Sequence, residues 1–139
     1  MKNRKTCLIG LIFLCTILFS CSIVRNVRIQ GDINADKELL VQYRKKIVLL
    51  RGKIIRDETI TTERLRDFYD PAMKGLVTEY NILSEEGKTL TAKDGELWQD
   101  WRIRVMELGN EVRMIERIYE GEIHGAKIET MYEHRAKDV

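Results

Sequence analysis

His124 and His134 are the only imidazoles in the chain, ten residues apart near its C-terminal end. On an α-helix that spacing turns them about 80° away from each other. Neither belongs to a Glu-x-x-His or His-Glu-x-x-His motif, so the patterns of bundle-type di-iron and zinc-protease sites are missing. Glu120, His124 and Glu129 offer donors with no ligand motif around them, and the expectation is a solvated tail with no metal. Ser84 has no histidine near it in sequence to serve as a base. Gly52-Lys53 and Gly87-Lys88 lack the flanking Gly and Ser/Thr of a phosphate loop. Glu85-Glu86 and Glu116/Glu120 can do acid–base work only where burial shifts their protonation. No nucleophile, metal, cofactor or phosphate cradle is assembled, so a non-enzymatic protein with no small-molecule substrate is expected.

Trp98 and Trp101 could form an aromatic platform for a sugar or peptide. Both also lie in a 3-4 apolar repeat, which assigns them to a core. The basic groups Arg44-Lys45-Lys46 and Arg102/Arg104 fall on polar faces, where solvation or pairing with Glu63, Asp67 or Asp70 is the ordinary outcome. The formal charge of the 139-residue chain is +2. Its first 20 residues hold three basic groups and no acid, so residues 21–139 carry 21 basic against 22 acidic groups, a net of −1. A nucleic-acid binder needs a clustered basic excess, so no nucleic-acid partner is expected.

Lys2, Arg4 and Lys5 precede an uncharged run centred on Leu8–Leu14, the charge-then-apolar order of a secretory signal. Leu18-Phe19-Ser20-Cys21 follows: an aliphatic residue, a variable one, a small one, then cysteine. This segment resembles the lipobox of bacterial lipoprotein precursors. The resemblance covers residues 1–21 only. It implies a signal peptide over residues 1–20, cleavage after Ser20, and a lipid such as diacylglycerol and palmitate on Cys21. Ser22 differs from the Asp that resembles an inner-membrane retention signal, which favours the outer membrane. Read without the resemblance, the uncharged run from Thr6 to Val24 also approaches the length of an uncleaved membrane anchor. Cys7 and Cys15 fall in the signal, so Cys21 is left without a disulfide partner.

Residues 21–36 mix polar and apolar positions and include Gly31-Asp32 and Asn34, which predicts a lipidated N-terminus and flexible tether. Val27 and Ile29 around Arg28 give a weak strand hint. A helical domain is expected over residues 37–120. In its first stretch Leu40, Tyr43, Ile47, Leu50 and Ile54 repeat at 3-4-3-4, widened by Val41, Val48 and Ile55. In the second, Thr61 is a plausible N-cap and Leu65, Tyr69, Ala72, Leu76, Tyr80 and Leu83 line one face. A kink is expected near Tyr69 ahead of Pro71, and an end at Gly87. In the third, Trp98, Trp101, Val105, Leu108, Val112, Ile115 and Tyr119 form a heptad seam. Thr91 with Asp94 resembles a capping box, with Asp94 as the cap itself an equal option. Residues 121–139, interrupted by Gly121 and Gly125, are expected to be weakly helical or frayed.

The fold class expected is all-α: an antiparallel three-helix bundle, or a long helical hairpin with coiled-coil character, after a cleaved N-terminal signal. The function expected is that of a small lipoprotein in the bacterial envelope. It is held to the membrane through lipid on Cys21 and acts by protein–protein contact, self-association or structural support. The alternative is a surface-exposed recognition module, such as an adhesin or a phage or plasmid exclusion lipoprotein.

Overall fold

The computed structural model describes residues 3–137. Its described residues are almost wholly helical and contain no strand. The elements are α1 (Asn3–Arg56), the short α2 (Thr62–Arg64), a π-helical turn (Leu65–Tyr69), α3 (Asp70–Thr89) and α4 (Gly95–Lys137). Each of α1, α3 and α4 packs against the other two, so the fold is a three-helix bundle rather than a hairpin. Short connections send the chain up α1, down α3 and up α4. The parallel course of α1 and α4 is fixed by Trp98 meeting Asp36 at one end and Tyr119 meeting Asp57 at the other.

The core follows from three apolar seams at 3-4 spacing. On α1 it runs Ile33, Leu40, Ile47, Leu50 and Ile54; on α3, Met73, Leu76 and Leu83 after Tyr69; on α4, Trp98 to Tyr119 as the sequence predicts. A seven-residue repeat keeps each stripe facing its neighbours along the length of the helix. Both tryptophans are core residues with their N–H groups satisfied. Trp98 Nε1 donates to Asp36 Oδ2 at 3.2 Å and Trp101 Nε1 to the Leu83 carbonyl at 2.9 Å.

The segment expected to be a flexible tether is helical. Ile29, Ile33 and Asp36 extend the α1 seam ahead of Leu40 at 4-3-4 spacing, and Ile33 is fully buried. Gly31 and Asn34, the residues that argue against a helix, sit on its exposed side, where they cost helix propensity but interrupt no packing. The alternation around Arg28 is therefore not a strand. The bundle begins near Ile29, and α1 is continuous from the signal segment into it.

Thr61 caps the second stretch, its Oγ1 accepting from the Arg64 N–H at 3.2 Å. Pro71 offers no N–H to the carbonyl of Asp67 and its ring crowds that turn. The π-helical turn relieves this by widening, and the Asp70 N–H reaches back to the Leu65 carbonyl. Past this turn Met73 is buried, the expected Ala72 packs half-buried at the edge of the core, and Leu76 and Leu83 follow as the spacing predicts.

Gly87 does not end the helix. It is buried inside α3, which runs on to Thr89. A Cβ there would lie 2.8 Å from Cζ2 of Trp101, so the glycine makes room for the indole. Asp94 immediately precedes α4. Its carbonyl accepts from the Trp98 N–H at 2.8 Å, while its carboxylate accepts from the Thr91 N–H at 2.9 Å and closes the turn. Beyond Tyr119, α4 does not fray among the described residues. It continues through Gly121 and Gly125 to Lys137, with Ile123 against the core.

Candidate functional site

Cys21 lies on the exposed part of α1, about two helical turns ahead of Ile29. The α3–α4 turn comes down beside it. Cys21, Ser22, Arg25 and Ile29 share a shallow cleft with Ala92 and Lys93, and the Ala92 N–H donates to Gln30 Oε1 at 3.1 Å. Helical geometry puts Cys21 about 12 Å along the axis from Ile29, at 1.5 Å per residue. Cys21 is thus at one end of the bundle and next to its base. Cys15, also exposed, is a further turn and a half toward the N-terminus. Among the described residues, no helix is long and apolar enough to cross a membrane.

The far end of the bundle gathers its polar groups into two locked clusters. The Tyr69 hydroxyl donates to Glu122 Oε2 at 2.8 Å, and Arg64 Nε donates to the other oxygen of the same carboxylate at 2.8 Å. The Arg64 guanidinium also lies 4.2 Å from the centre of the Phe68 ring. Next to this, the Tyr119 hydroxyl donates to Asp57 Oδ2 at 2.7 Å, and Thr59 donates to Oδ1 through both its N–H (2.9 Å) and its hydroxyl (2.6 Å). The two tyrosine rings meet edge to face at 6.2 Å.

These contacts set the protonation states. The Thr59 hydroxyl, then the Tyr119 hydroxyl and the Thr59 N–H, hold the Asp57 carboxyl below its ordinary value of 3.8. Burial, then the bond to Asp57, pushes the Tyr119 phenol up to about 12. Burial and then Glu122 also push Tyr69 upward. Both phenols stay protonated and Asp57 stays ionised near neutral pH. Such a pairing ties loops to helices and offers no acid or base poised near neutrality.

The other sequence candidates are scattered. His124 is exposed on α4 beyond the core, and the side chain of His134 lies outside the described residues. Among the described residues, no group of three or more His, Cys, Asp or Glu is placed to hold a metal. Glu86 and Glu79 bond the two arms of Arg104, at 2.7 and 2.9 Å, and Glu85 takes Lys88. Arg102 lies 3.6 Å from Asp36 and over the Trp98 ring. Arg102 and Arg104 therefore meet Asp36, Glu79 and Glu86, not Glu63, Asp67 or Asp70.

Sequence reasoning passed over three residues that matter here. Asp36 is the buried acid that receives Trp98; it lies in the segment read as a tether, and its place in the α1 repeat was the available signal. Glu122 sits three residues beyond Tyr119, the next position of the 3-4 repeat. Gly109 is buried opposite Tyr43, and any Cβ there would collide with the Tyr43 ring and hydroxyl. The chain matches no family model, no curated protein and no solved structure.

Proposed function

We propose that this chain is a small lipoprotein of the bacterial envelope, tethered through lipid on Cys21 and acting without catalysis by protein–protein contact or structural support. Its place would be the outer membrane, following Ser22 after the cysteine. One observation carries the reading: an exposed Cys21, at the end of a lipobox-like segment, continues in unbroken helix into the core seam at Ile29 and Ile33. A lipid at Cys21 would therefore hold the bundle close to the bilayer through a stiff link. The interaction reading draws support from the locked state of the polar clusters, which leaves helix faces as the available chemistry.

Replacing the attachment point tests this directly. In Cys21→Ala, metabolic lipid labelling is expected to disappear and the unprocessed precursor to accumulate. Labelling and processing that match the parent chain overturn the tether. The surface-recognition reading has its own support in α4, which projects past Ile123 to Lys137 at the end remote from Cys21. Fourteen residues of helix extend about 21 Å. Protease digestion of intact cells separates the two readings. Cleavage of this projection means display at the cell surface, as for an adhesin or an exclusion lipoprotein; protection means periplasmic work.

A further inference from the structure

The outward face of α1 is unlike the rest of the bundle surface. From Cys21 to Arg56 the chain holds nine basic against three acidic residues, whereas residues 57–139 hold twelve against nineteen. Among the described residues, no cation between Lys37 and Arg56 is in an ion pair; every bridge involves α2, the π-helical turn, α3 or α4 cations. Val27, Val41, Val48 and Ile55 are separated by multiples of seven and so fall on one line along the helix. All four are exposed, Val48 at 62%, with Leu49 beside it at 66%. Exposed Arg44, Lys45 and Arg51 flank this line. The corresponding faces of α3 and α4 mix acids with their apolar residues: Asp100 and Glu107 lie near Ile103 and Met106.

We infer that this face of α1 docks on an anionic phospholipid surface, so that the bundle lies along the membrane with α3 and α4 turned outward. The inference rests on the tether proposed above. Apolar side chains set between unpaired cations on one exposed helical face are the chemistry of an interfacial helix, which buries the former among acyl chains and offers the latter to headgroups. Charge complementarity favours a lipid surface over a neutral partner. Position favours it over a remote one, because α1 is the helix that starts at Cys21. Every residue of the line to Ile55 lies within about 51 Å of that cysteine along the helix axis. Arg25 and Arg28 carry the same positive character back to the attachment point.

The test uses the full chain, purified with its native lipid and reconstituted into phosphatidylcholine vesicles with or without phosphatidylglycerol. Val48→p-benzoylphenylalanine places a photocrosslinker on the α1 face, and Asn110→p-benzoylphenylalanine places one on α4 as a control. Position 48 is expected to crosslink phospholipid on the anionic vesicles, and to lose that product on neutral vesicles or at high salt. Position 110 is expected to give little lipid product on either. Adding Arg44→Gln, Lys45→Gln and Arg51→Gln should lower the docked-to-free ratio about a hundredfold, at about fivefold for each cation near an anionic surface. Circular dichroism checks that this variant folds, and where it does not, the salt and lipid comparison on the parent sequence decides. Equal lipid crosslinking at both positions, or none at position 48, overturns the inference. So does a crosslinked dimer at position 48 in detergent, which would assign the face to a second copy. The mass of the Cys21 peptide reads acylation separately, so a failed tether is distinguished from a failed docking face.

Discussion

Helices α1 and α4 run parallel through the same core and contribute equivalent heptad seams, yet their outer faces have opposite designs. On α4 the charges reach sideways. Arg104 bonds Glu79 and Glu86 of α3, and Glu122 holds Arg64 and Tyr69. Among the described residues the α1 cations between Lys37 and Arg56 form no ion pair, and Arg44 leans on a ring of another helix, 5.7 Å from the centre of Tyr80. Inward side chains of both helices therefore serve stability alike. Outward ones serve stability on α4 and remain available on α1.

The largest expected effect tests the shared inner design. Trp101→Ala should destabilise the fold by ~3–5 kcal/mol, and Ile47→Ala on α1 by ~2–5 kcal/mol, both read by denaturant unfolding. Similar losses sustain the equivalence of the two seams. A stable Trp101→Ala that lost only a ligand would return the tryptophans to a platform role. Next comes the contact in which Gly109 of α4 makes room for Tyr43 of α1. Gly109→Ala collides with Tyr43, and overpacking of this kind costs ~1–3 kcal/mol despite the better helix propensity of alanine. Removing the ring with Tyr43→Ala should offset part of that cost in a double-mutant cycle.

The link between the distal ends is pH-dependent. The Asp57 carboxyl titrates lower in the fold than in the unfolded chain, so its stabilisation is complete above the ordinary value of 3.8 and drains as pH falls below it. The Tyr119 phenol titrates higher, so its part is complete below 10 and is lost as pH rises from 10 towards about 12. Melting curves across pH should show both limbs. Asp57→Asn should flatten the acid limb, and an unchanged acid limb would remove Asp57 from this role. The smallest effects test the outer contrast. Arg104→Ala should cost up to ~1 kcal/mol, as partly exposed ion pairs do. Arg51→Ala should stay within ~0.5 kcal/mol. An equal cost for the two would erase the distinction between the outer faces.

Much of the bundle was legible along the chain because period and burial agree. The α4 seam from Trp98 to Tyr119 holds as read, since seven apolar residues at 3-4 spacing leave one helical face to bury. The α1 seam was legible only from Leu40 onward. Ahead of it, Gly31, Asp32 and Asn34 weaken local helix propensity, and packing of Ile29 and Ile33 against the bundle overrides that preference. The shift from Ala72 to Met73 was hidden for a different reason. The π-helical turn changes the rotation per residue just ahead of α3, so Met73 is turned into the core beside Ala72 while Leu76 and Leu83 keep their expected places.

The amino-acid order by itself determined the all-α class, the three amphipathic stretches, the cap at Thr61, and the concentration of basic residues up to Arg56. These depend on spacing and local chemistry, which a single chain displays in full. Tertiary structure alone decided that the stretches close as a three-helix bundle, that Asp36 is a buried partner of Trp98 rather than part of a tether, and that the half-buried Glu122 holds Tyr69 and Arg64. It also decided that Gly87 and Gly109 yield space to Trp101 and Tyr43, and that among the described residues the cations from Lys37 to Arg56 form no ion pair. Each of these depends on which helix lies opposite, a relation between residues far apart in sequence that no local period contains.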